Sequence, residues 1–165
     1  MRRYLALMVA LLLLAPMAAL TEGGEVATFQ DPMFEKRVRK LLDREGDIYV
    51  SELNQITELY FANFDYPDGE IPEEEKIHDL TDLKYFPNLE ILDIGDNAVS
   101  DLTPLAALDK LYYLEAPKNS ISDLSPLADM TQLTWAVFWE NDISDLSPVA
   151  GLVNLETFSV FSNNV

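Results

Sequence analysis

An asparagine recurs every 22 residues through the second half of the chain, and this period constrains the fold more than any other feature of the sequence. The four positions are Asn97, Asn119, Asn141 and Asn163. Units that begin at Leu89, Leu111, Leu133 and Leu155 align without a gap. Self-similarity at a fixed period of this length is the signature of a repeat architecture. The sequence therefore predicts a solenoid, in which each unit buries its apolar edge against its neighbours.

The repeated unit reads L-x-x-L-x-L-x-x-N-x-(I/V)-S-D-L-(S/T)-P-(L/V)-A. Its leucine-rich start predicts a short strand, and the strands of successive units should pair as a parallel sheet about 4.8 Å apart. The asparagine follows the strand, and we expect its amide to hydrogen-bond buried backbone groups and to stack with its counterparts as a ladder. The serine or threonine is predicted to cap a short 3₁₀ turn on the convex side, with proline as the first helical residue.

A longer unit precedes the regular ones. Residues 56–61 have the spacing of the strand and residues 77–86 supply the second half of a unit, so this unit spans 56–88. It holds 11 extra residues within 62–76, in an acidic loop punctuated by proline and glycine. The carboxylates are those of Asp65, Asp68, Glu70 and Glu73–Glu75. They would suit Ca²⁺, but the EF-hand spacing is missing, so we interpret the insertion as a solvated loop and predict no metal site and no cofactor.

This repeat resembles the 22-residue repeat of the internalin-type family of bacterial secreted and surface proteins, strongly over residues 89–165 and more loosely over 29–88. The resemblance implies an α/β leucine-rich repeat solenoid, with a parallel β-sheet on the concave face and short 3₁₀ turns on the convex face. It also implies that partners dock on the concave face. Three features depart from the family pattern: the array has only five strands, the first unit carries the insertion, and no C-terminal cap or L-P-x-T-G sorting motif is present.

The segment ahead of the repeats resembles the N-terminal helical cap of such arrays. We assign the cap to residues 28–55 and the repeats to 56–165, with the last repeat incomplete. Asp31 stands before Pro32, a pattern typical of a helix N-cap. The apolar stripe expected to cover the first strand consists of Phe34, Val38, Leu41 and Leu42.

Residues 1–20 have the build of a secretory signal peptide, with Arg2 and Arg3, an apolar run and a stretch of small residues. The apolar run is shorter than a transmembrane anchor needs and is broken by Pro16. We therefore predict export with cleavage of this segment, a secreted or cell-surface location, and no membrane insertion afterwards.

The charge of the chain excludes several classes of partner. Its net charge is −18, and all 29 acidic residues follow Thr21. Nucleic acids and anionic membrane surfaces are therefore poor partners. The sequence contains no cysteine, which excludes disulfides, thiol catalysis and cysteine-ligated zinc.

Catalysis finds little support in the sequence. His78 is the only histidine, and its register places it on the convex side, in the position of the repeated serine. No phosphate-binding glycine loop, H-E-x-x-H or G-x-S-x-G motif occurs. We predict that the protein is not an enzyme and has no catalytic residues.

Binding is better supported, because the register identifies the side chains that leave the strands toward the concave face. Those predicted to bind a partner are the aromatic cluster Tyr113, Trp135, Trp139 and Phe161, with Asp93, Glu115 and Glu140 at its rim. Large rings surrounded by charges are typical of a protein-binding hot spot. An alternative is that the rings pack against one another because Ala116 and Ala136 leave space beside Phe138.

The sequence thus predicts an exported, non-enzymatic protein-binding module that uses the concave face of a short array. The alternatives are a structural spacer within a longer surface protein and carbohydrate binding by the aromatic patch. A parallel sheet that ends near Val160 would leave Phe158 uncovered. We expect such an edge to be extended by further repeats, covered by self-association, or frayed.

Overall fold

The computed structural model describes residues 24–63 and 71–165. The predicted signal peptide, residues 1–20, lies outside the described residues, and so do Asp65, Asp68 and Glu70 of the acidic loop. Within the two described ranges, no helix combines the length and the apolar character that a membrane span requires.

Two helices open the described chain, α1 at Pro32–Leu42 and α2 at Val50–Leu53. The carboxylate of Asp31 caps α1 as predicted, accepting the N–H groups of Met33 at 2.8 Å and Phe34 at 2.9 Å. This cap satisfies two of the amide groups that a helix N-terminus leaves without an intrahelical acceptor.

The predicted apolar stripe of α1 is confirmed for Phe34 and Val38, which are fully buried, and for Leu42, which packs against the core. It is wrong for Leu41, which is 49% exposed. Successive residues of an α-helix point about 100° apart, so Leu41 and Leu42 cannot both face the sheet. Leu42 does so because it lies one turn after Val38.

Five strands form one parallel sheet in chain order, which confirms the predicted leucine-rich repeat solenoid. They are β1 at Glu58–Tyr60, β2 at Ile91–Asp93, β3 at Tyr113–Glu115, β4 at Trp135–Val137 and β5 at Thr157–Ser159. Leu59 pairs with Leu92 across the long first unit, and Leu92 pairs with Leu114 across a regular one. The extra residues of the first unit therefore leave the register of the sheet intact.

The opposite side of each unit is a 3₁₀ turn. These turns lie at Thr81–Tyr85, Thr103–Ala107, Ser125–Leu127 and Ser147–Val149, and a further one lies in the insertion at Glu73–Glu75. The predicted capping by serine or threonine is wrong. Each of these residues is instead the first residue of its 3₁₀ helix, and the cap position holds a leucine.

The acceptor that starts each 3₁₀ turn is the aspartate two residues earlier. The Oδ1 atom of Asp101 accepts the N–H of Thr103 at 2.8 Å, and the same bond recurs at Asp123 and Asp145 with Ser125 and Ser147. A carboxylate is a stronger acceptor than a hydroxyl group, and the two serine hydroxyls themselves donate to it. The aspartate of the S-D-L-(S/T)-P motif is thus the capping residue.

The asparagine ladder is confirmed, and Asn141 illustrates its bonds. Its Nδ2 donates to the carbonyl of Phe138 at 3.0 Å in its own unit and to that of Ala116 at 2.9 Å in the preceding unit. Its Oδ1 accepts the N–H of Ile121 at 3.0 Å. The equivalent acceptor bonds of Asn97, Asn119 and Asn163 come from Ile77, Val99 and Ile143.

The ladder begins one asparagine earlier than the period predicts. Asn63 donates from Nδ2 to the Oδ1 of Asn97 at 3.0 Å and to the carbonyl of Asp96 at 2.9 Å. Its own Oδ1 accepts from the guanidinium of Arg37 on α1. In the rest of the ladder, a backbone N–H of the preceding unit donates to the Oδ1 of each asparagine. At Asn63, the side chain of Arg37 in the helical cap takes the place of that donor.

The apolar core lies between the sheet and the 3₁₀ turns. Ala116 and Phe138 occupy the same position of adjacent units and are both fully buried, so a large ring fills space that a small side chain leaves. Phe158 and Val160 at β5 are half-buried, whereas their counterparts one unit earlier, Ala136 and Phe138, are buried. Self-association through this edge stays a prediction.

Candidate functional site

Register aligns the outward-facing side chains of the five strands in two rows across the concave face. In each of β1, β2 and β3 the middle residue is buried, and in β2 and β3 both flanking residues are half-buried. The first row is Glu58, Ile91, Tyr113, Trp135 and Thr157, and the second is Tyr60, Asp93, Glu115, Val137 and Ser159. Neighbours within a row lie on adjacent strands, about 4.8 Å apart along the solenoid.

The rings of Tyr113 and Trp135 stack on one another in the first row. Their centroids are 5.4 Å apart and their planes differ by 9°. Both polar tips donate to one carboxylate oxygen, the Oε1 of Glu115, at 2.5 Å from the Tyr113 hydroxyl and 3.0 Å from the Trp135 indole nitrogen. Burial and the bond to Glu115 raise the pKa of the Tyr113 hydroxyl well above its ordinary value. Glu115 therefore fixes both rings in orientation.

A second stacked pair, Trp139 and Phe161, lies just beyond the strands. Their centroids are 5.5 Å apart and their planes differ by 6°. The ammonium group of Lys118, one unit earlier, lies 5.6 Å from the centroid of the Trp139 ring. The four rings predicted as one cluster are thus two stacked pairs, and Phe161 is the most exposed of the four at 60%.

Asp93 lies between the aromatic residues and the first strand. It is half-buried, and its Oδ1 accepts the N–H of Gly95 at 3.0 Å. Burial raises the pKa of Asp93 to about 6, against the opposing effect of the Gly95 bond and with a further rise from the neighbouring charge of Glu115. Two carboxylates in the same row of adjacent strands therefore share one patch of the concave face.

Glu140 lies at the end of β4 in an exposed turn. Its backbone has a positive φ of 54°, and Asp96, Lys118 and Ser162 take the same left-handed conformation at equivalent positions. Lys118 forms an ion pair of 4.0 Å with Asp96 across this edge. All seven residues predicted to bind a partner therefore lie on the strands of the sheet or at their carboxyl ends.

Solved structures share this fold. InlF, an internalin of Listeria monocytogenes, matches with a TM-score of 0.71 and 29% identity, over 81% of this chain and 37% of its own. The chain has the internalin-type leucine-rich repeat fold. It spans little more than a third of the InlF chain that it matches.

Two further structures agree with this internalin-type fold. Internalin C2 of the same species matches with a TM-score of 0.53 and 21% identity, over 82% of this chain and 86% of its own. A leucine-rich repeat protein of Leptospira interrogans matches with a TM-score of 0.53 and 18% identity, over 71% of this chain and 34% of its own. No family model and no curated protein sequence matches the chain.

Two residues of the concave face of this internalin-type array, Glu58 and Tyr60, were missed by sequence reasoning. Tyr60 is 59% exposed and donates from its hydroxyl to the Oε2 of Glu58 at 3.0 Å. Burial of the hydroxyl and this bond raise the pKa of Tyr60 to about 12. The same strand spacing in residues 56–61 would have identified both. The contact of Lys118 with Trp139 could not be found in this way, because it depends on the turn beyond the strand.

His78 lies just before the 3₁₀ turn at Thr81–Tyr85 and not among the residues of the concave face. His78 is exposed, and its Nε2 lies 3.4 Å from the carbonyl oxygen of Glu73. Across residues 24–63 and 71–165, no three histidine or carboxylate side chains are grouped so that they would hold a metal ion. The candidate functional site consists of the two ring pairs and the carboxylates beside them.

Proposed function

We infer that this internalin-type chain is a non-enzymatic module that binds a protein partner on the concave face of its array. The observation that carries this proposal is that two stacked pairs of aromatic rings lie on the face of the sheet opposite the core. Tyr113 and Trp135 are held by Glu115, so they enter an interface already ordered. Rigid aromatic side chains at the centre of a surface are typical of binding hot spots, because little conformational entropy is lost when a partner covers them.

Ring orientation favours a protein over a carbohydrate. A sugar ring stacks on an open aromatic face, but Tyr113 and Trp135 each cover one face of the other. Trp139 has Phe161 on one side and the Lys118 ammonium near its ring. Within each pair, a ring therefore keeps at most one face for a partner, which leaves less stacking area than a sugar finds on an unpaired ring.

The double variant Trp135→Ala, Trp139→Ala tests the proposal. We expect it to lose at least about tenfold in affinity for a partner captured from the exterior milieu, since hot-spot truncations typically cost at least about 2 kcal/mol each. The matched control is Leu41→Ala, Val153→Ala, which removes two apolar side chains, 49% and 85% exposed, from outside the concave face. If the tryptophan variant binds at full strength, the aromatic residues are not the site.

Export is part of the proposal and rests on the signal-like residues 1–20. The full chain, produced in a bacterial host, should reach the exterior with an intact mass that lacks this segment. Substituting Leu12 and Leu13 by arginine breaks the apolar run and should hold the full-length product inside the cell. A full-length chain in the exterior fraction would contradict cleavage.

A further inference from the structure

On the concave face, the carboxylates outnumber the cationic side chains of the described residues that pair with them. Its carboxylates are those of Glu58, Asp93, Asp96, Glu115 and Glu140. Among residues 24–63 and 71–165, the single ion pair on this face joins Lys118 to Asp96, and the other ion pairs lie between residues 35 and 78. A partner of positive charge would therefore complement this surface.

Two of these carboxylates, Asp93 and Glu115, lie side by side on adjacent strands. They are register partners on β2 and β3, and like charges directly opposite each other destabilise a sheet. Asp93 uses Oδ1 to accept from Gly95, and Glu115 uses Oε1 to accept from Tyr113 and Trp135. Within the described residues, Asp93 Oδ2 and Glu115 Oε2 accept no hydrogen bond, so each carboxylate keeps one oxygen for a donor from outside.

Aromatic rings border these two carboxylates. A guanidinium group donates in a planar fork to carboxylates and also stacks on aromatic rings, whereas an ammonium group has no plane to stack. The face already holds one cation against a ring by electrostatic attraction alone, since the Lys118 ammonium lies 5.6 Å from the centroid of the Trp139 ring. The row of Asp93 and Glu115 beside Tyr113 and Trp135 offers both kinds of contact at one place.

We propose that the concave face binds a basic segment of a protein partner, with an arginine side chain placed on the carboxylates of Asp93 and Glu115 beside the Tyr113–Trp135 pair. This inference names the class of partner for the function proposed above and rests on it. The net charge of −18 favours approach of such a segment from a distance. The carboxylates of Asp93 and Glu115 and the adjacent rings then bind the segment.

The test uses the full chain and short capped peptides. Both tryptophans of the chain lie on the concave face, so their fluorescence reports on it directly. We expect a capped tetra-arginine peptide to change this fluorescence saturably. A tetra-citrulline peptide, of the same shape but without charge, should leave it unchanged, and tetra-lysine should bind several-fold more weakly because it cannot stack.

Matched variants separate this site from general charge attraction. Asp93→Asn, Glu115→Gln should weaken tetra-arginine binding by at least about tenfold, because removing partners of a charge-assisted contact lowers affinity strongly. Asp101→Asn, Asp123→Asn removes the same charge from the convex side, where both carboxylates already accept from Thr103 and Ser125. This control should weaken binding less than about twofold, since those charges act only at a distance. Circular dichroism establishes that each variant is folded, and Asp93→Asn alone serves if the double variant is not.

Three results would overturn the inference: an absence of saturable binding, equal losses in the concave and convex variants, and equal binding of tetra-arginine and tetra-lysine. These outcomes differ from failure of the proposed function. Suppose that Trp135→Ala, Trp139→Ala abolishes capture of a partner, and that the bound segment of this partner is neutral or acidic. The proposal that this face binds a protein would then hold, whereas the proposal that the bound segment is basic would be wrong.

Discussion

The carboxylate of Asp82 accepts the backbone N–H of Asp31 at 3.0 Å, and Asp31 in turn joins the helical cap to the first 3₁₀ turn. One oxygen of Asp31 accepts two N–H groups of the first turn of α1, and the other accepts those of His78 at 2.7 Å and Asp79 at 3.0 Å. Asp82 has no exposed surface and also accepts the N–H of Gln30. These two carboxylates hold the cap on the array through backbone groups.

Asp31→Ala is expected to lower the free energy of unfolding by roughly 3 kcal/mol, because four backbone N–H groups lose their acceptor at a buried site. Urea denaturation measures this change. Asp79→Ala is the control, since the Asp79 side chain is exposed and accepts from Thr81. A loss for Asp31→Ala no larger than that of the control would show that solvent replaces these bonds.

Asn119→Leu tests the ladder and should cost about 3 kcal/mol, since a side chain of similar size cannot donate or accept. Asn119 donates to the carbonyls of Ile94 at 3.0 Å and Pro117 at 3.1 Å, and it accepts the N–H of Val99 at 2.9 Å. An exposed asparagine at the end of the array, Asn164, provides the matched control Asn164→Leu, which should change stability by less than about 0.5 kcal/mol. Equal effects on the urea midpoint would contradict a structural role of the ladder.

The sequence was sufficient to predict the sheet, its register and the ladder, because a strictly repeated spacing of leucines and asparagines leaves only one way to stack the units. The same period sorts inward from outward side chains, so Tyr113 and Trp135 were correctly expected to leave the core. Packing of the rings against one another was one of the alternatives, but their division into two stacked pairs was not predicted. It depends on ring rotation about the side-chain bonds, which a repeat pattern does not fix.

Local capping was harder to predict, because several residues compete for the same role. In the S-D-L-(S/T)-P motif both Asp101 and Thr103 are good caps by residue type, and only the fold shows that the carboxylate accepts. Buried Asp82 gave no signal either, since one carboxylate among 29 acidic residues resembles a surface residue. Contacts between segments far apart in the chain, such as that of Asp82 with Gln30, follow from the docking of the cap rather than from the repeat.

Asp93→Asn is expected to stabilise the chain at pH 7 by about 1–2 kcal/mol, after a discount for its partial exposure. The pKa of Asp93 is about 6 in the fold against an ordinary value of 3.8, so the folded chain binds this proton more tightly than the unfolded chain does. The contribution of Asp93 to stability should therefore become less favourable as pH rises from about 4 to about 6, and the advantage of the variant should grow over that range. Urea denaturation of both proteins at each pH unit measures the difference.

Asp101→Asn provides a control of opposite sign. Hydrogen bonds from the side chain and backbone of Thr103 lower the pKa of Asp101, so its charged form stabilises the fold. That contribution is present above its ordinary pKa and is lost as pH falls through the lowered value, so this variant should be less stable than the wild-type chain at pH 7. If both variants are more stable than the wild-type chain at pH 7, or both are less stable, the surroundings assigned to Asp93 are wrong.

Arg37 starts the asparagine ladder from the helical cap. Its guanidinium donates to the carbonyls of Phe61 at 3.0 Å and Glu75 at 3.2 Å and to Asn63 Oδ1. Arg37→Met retains the apolar length but removes these donors and should cost about 2–4 kcal/mol. Arg37→Lys should recover only part of this loss, because one ammonium does not reproduce a planar fork. Lys40→Met, at an exposed position of the same helix, should leave stability unchanged.

Hydrogen exchange locates the effect of Arg37→Met along the array. Each unit of a solenoid contacts only its neighbours, so damage at the cap should weaken with distance. The amide of Ile77, bound to Asn97 Oδ1 in the first unit, should lose at least about tenfold in protection, whereas that of Ile143, bound to Asn163 Oδ1, should lose less. An equal loss at both amides would mean that the array unfolds as one unit and that Arg37 stabilises all of it, which would contradict its role as a local start of the ladder.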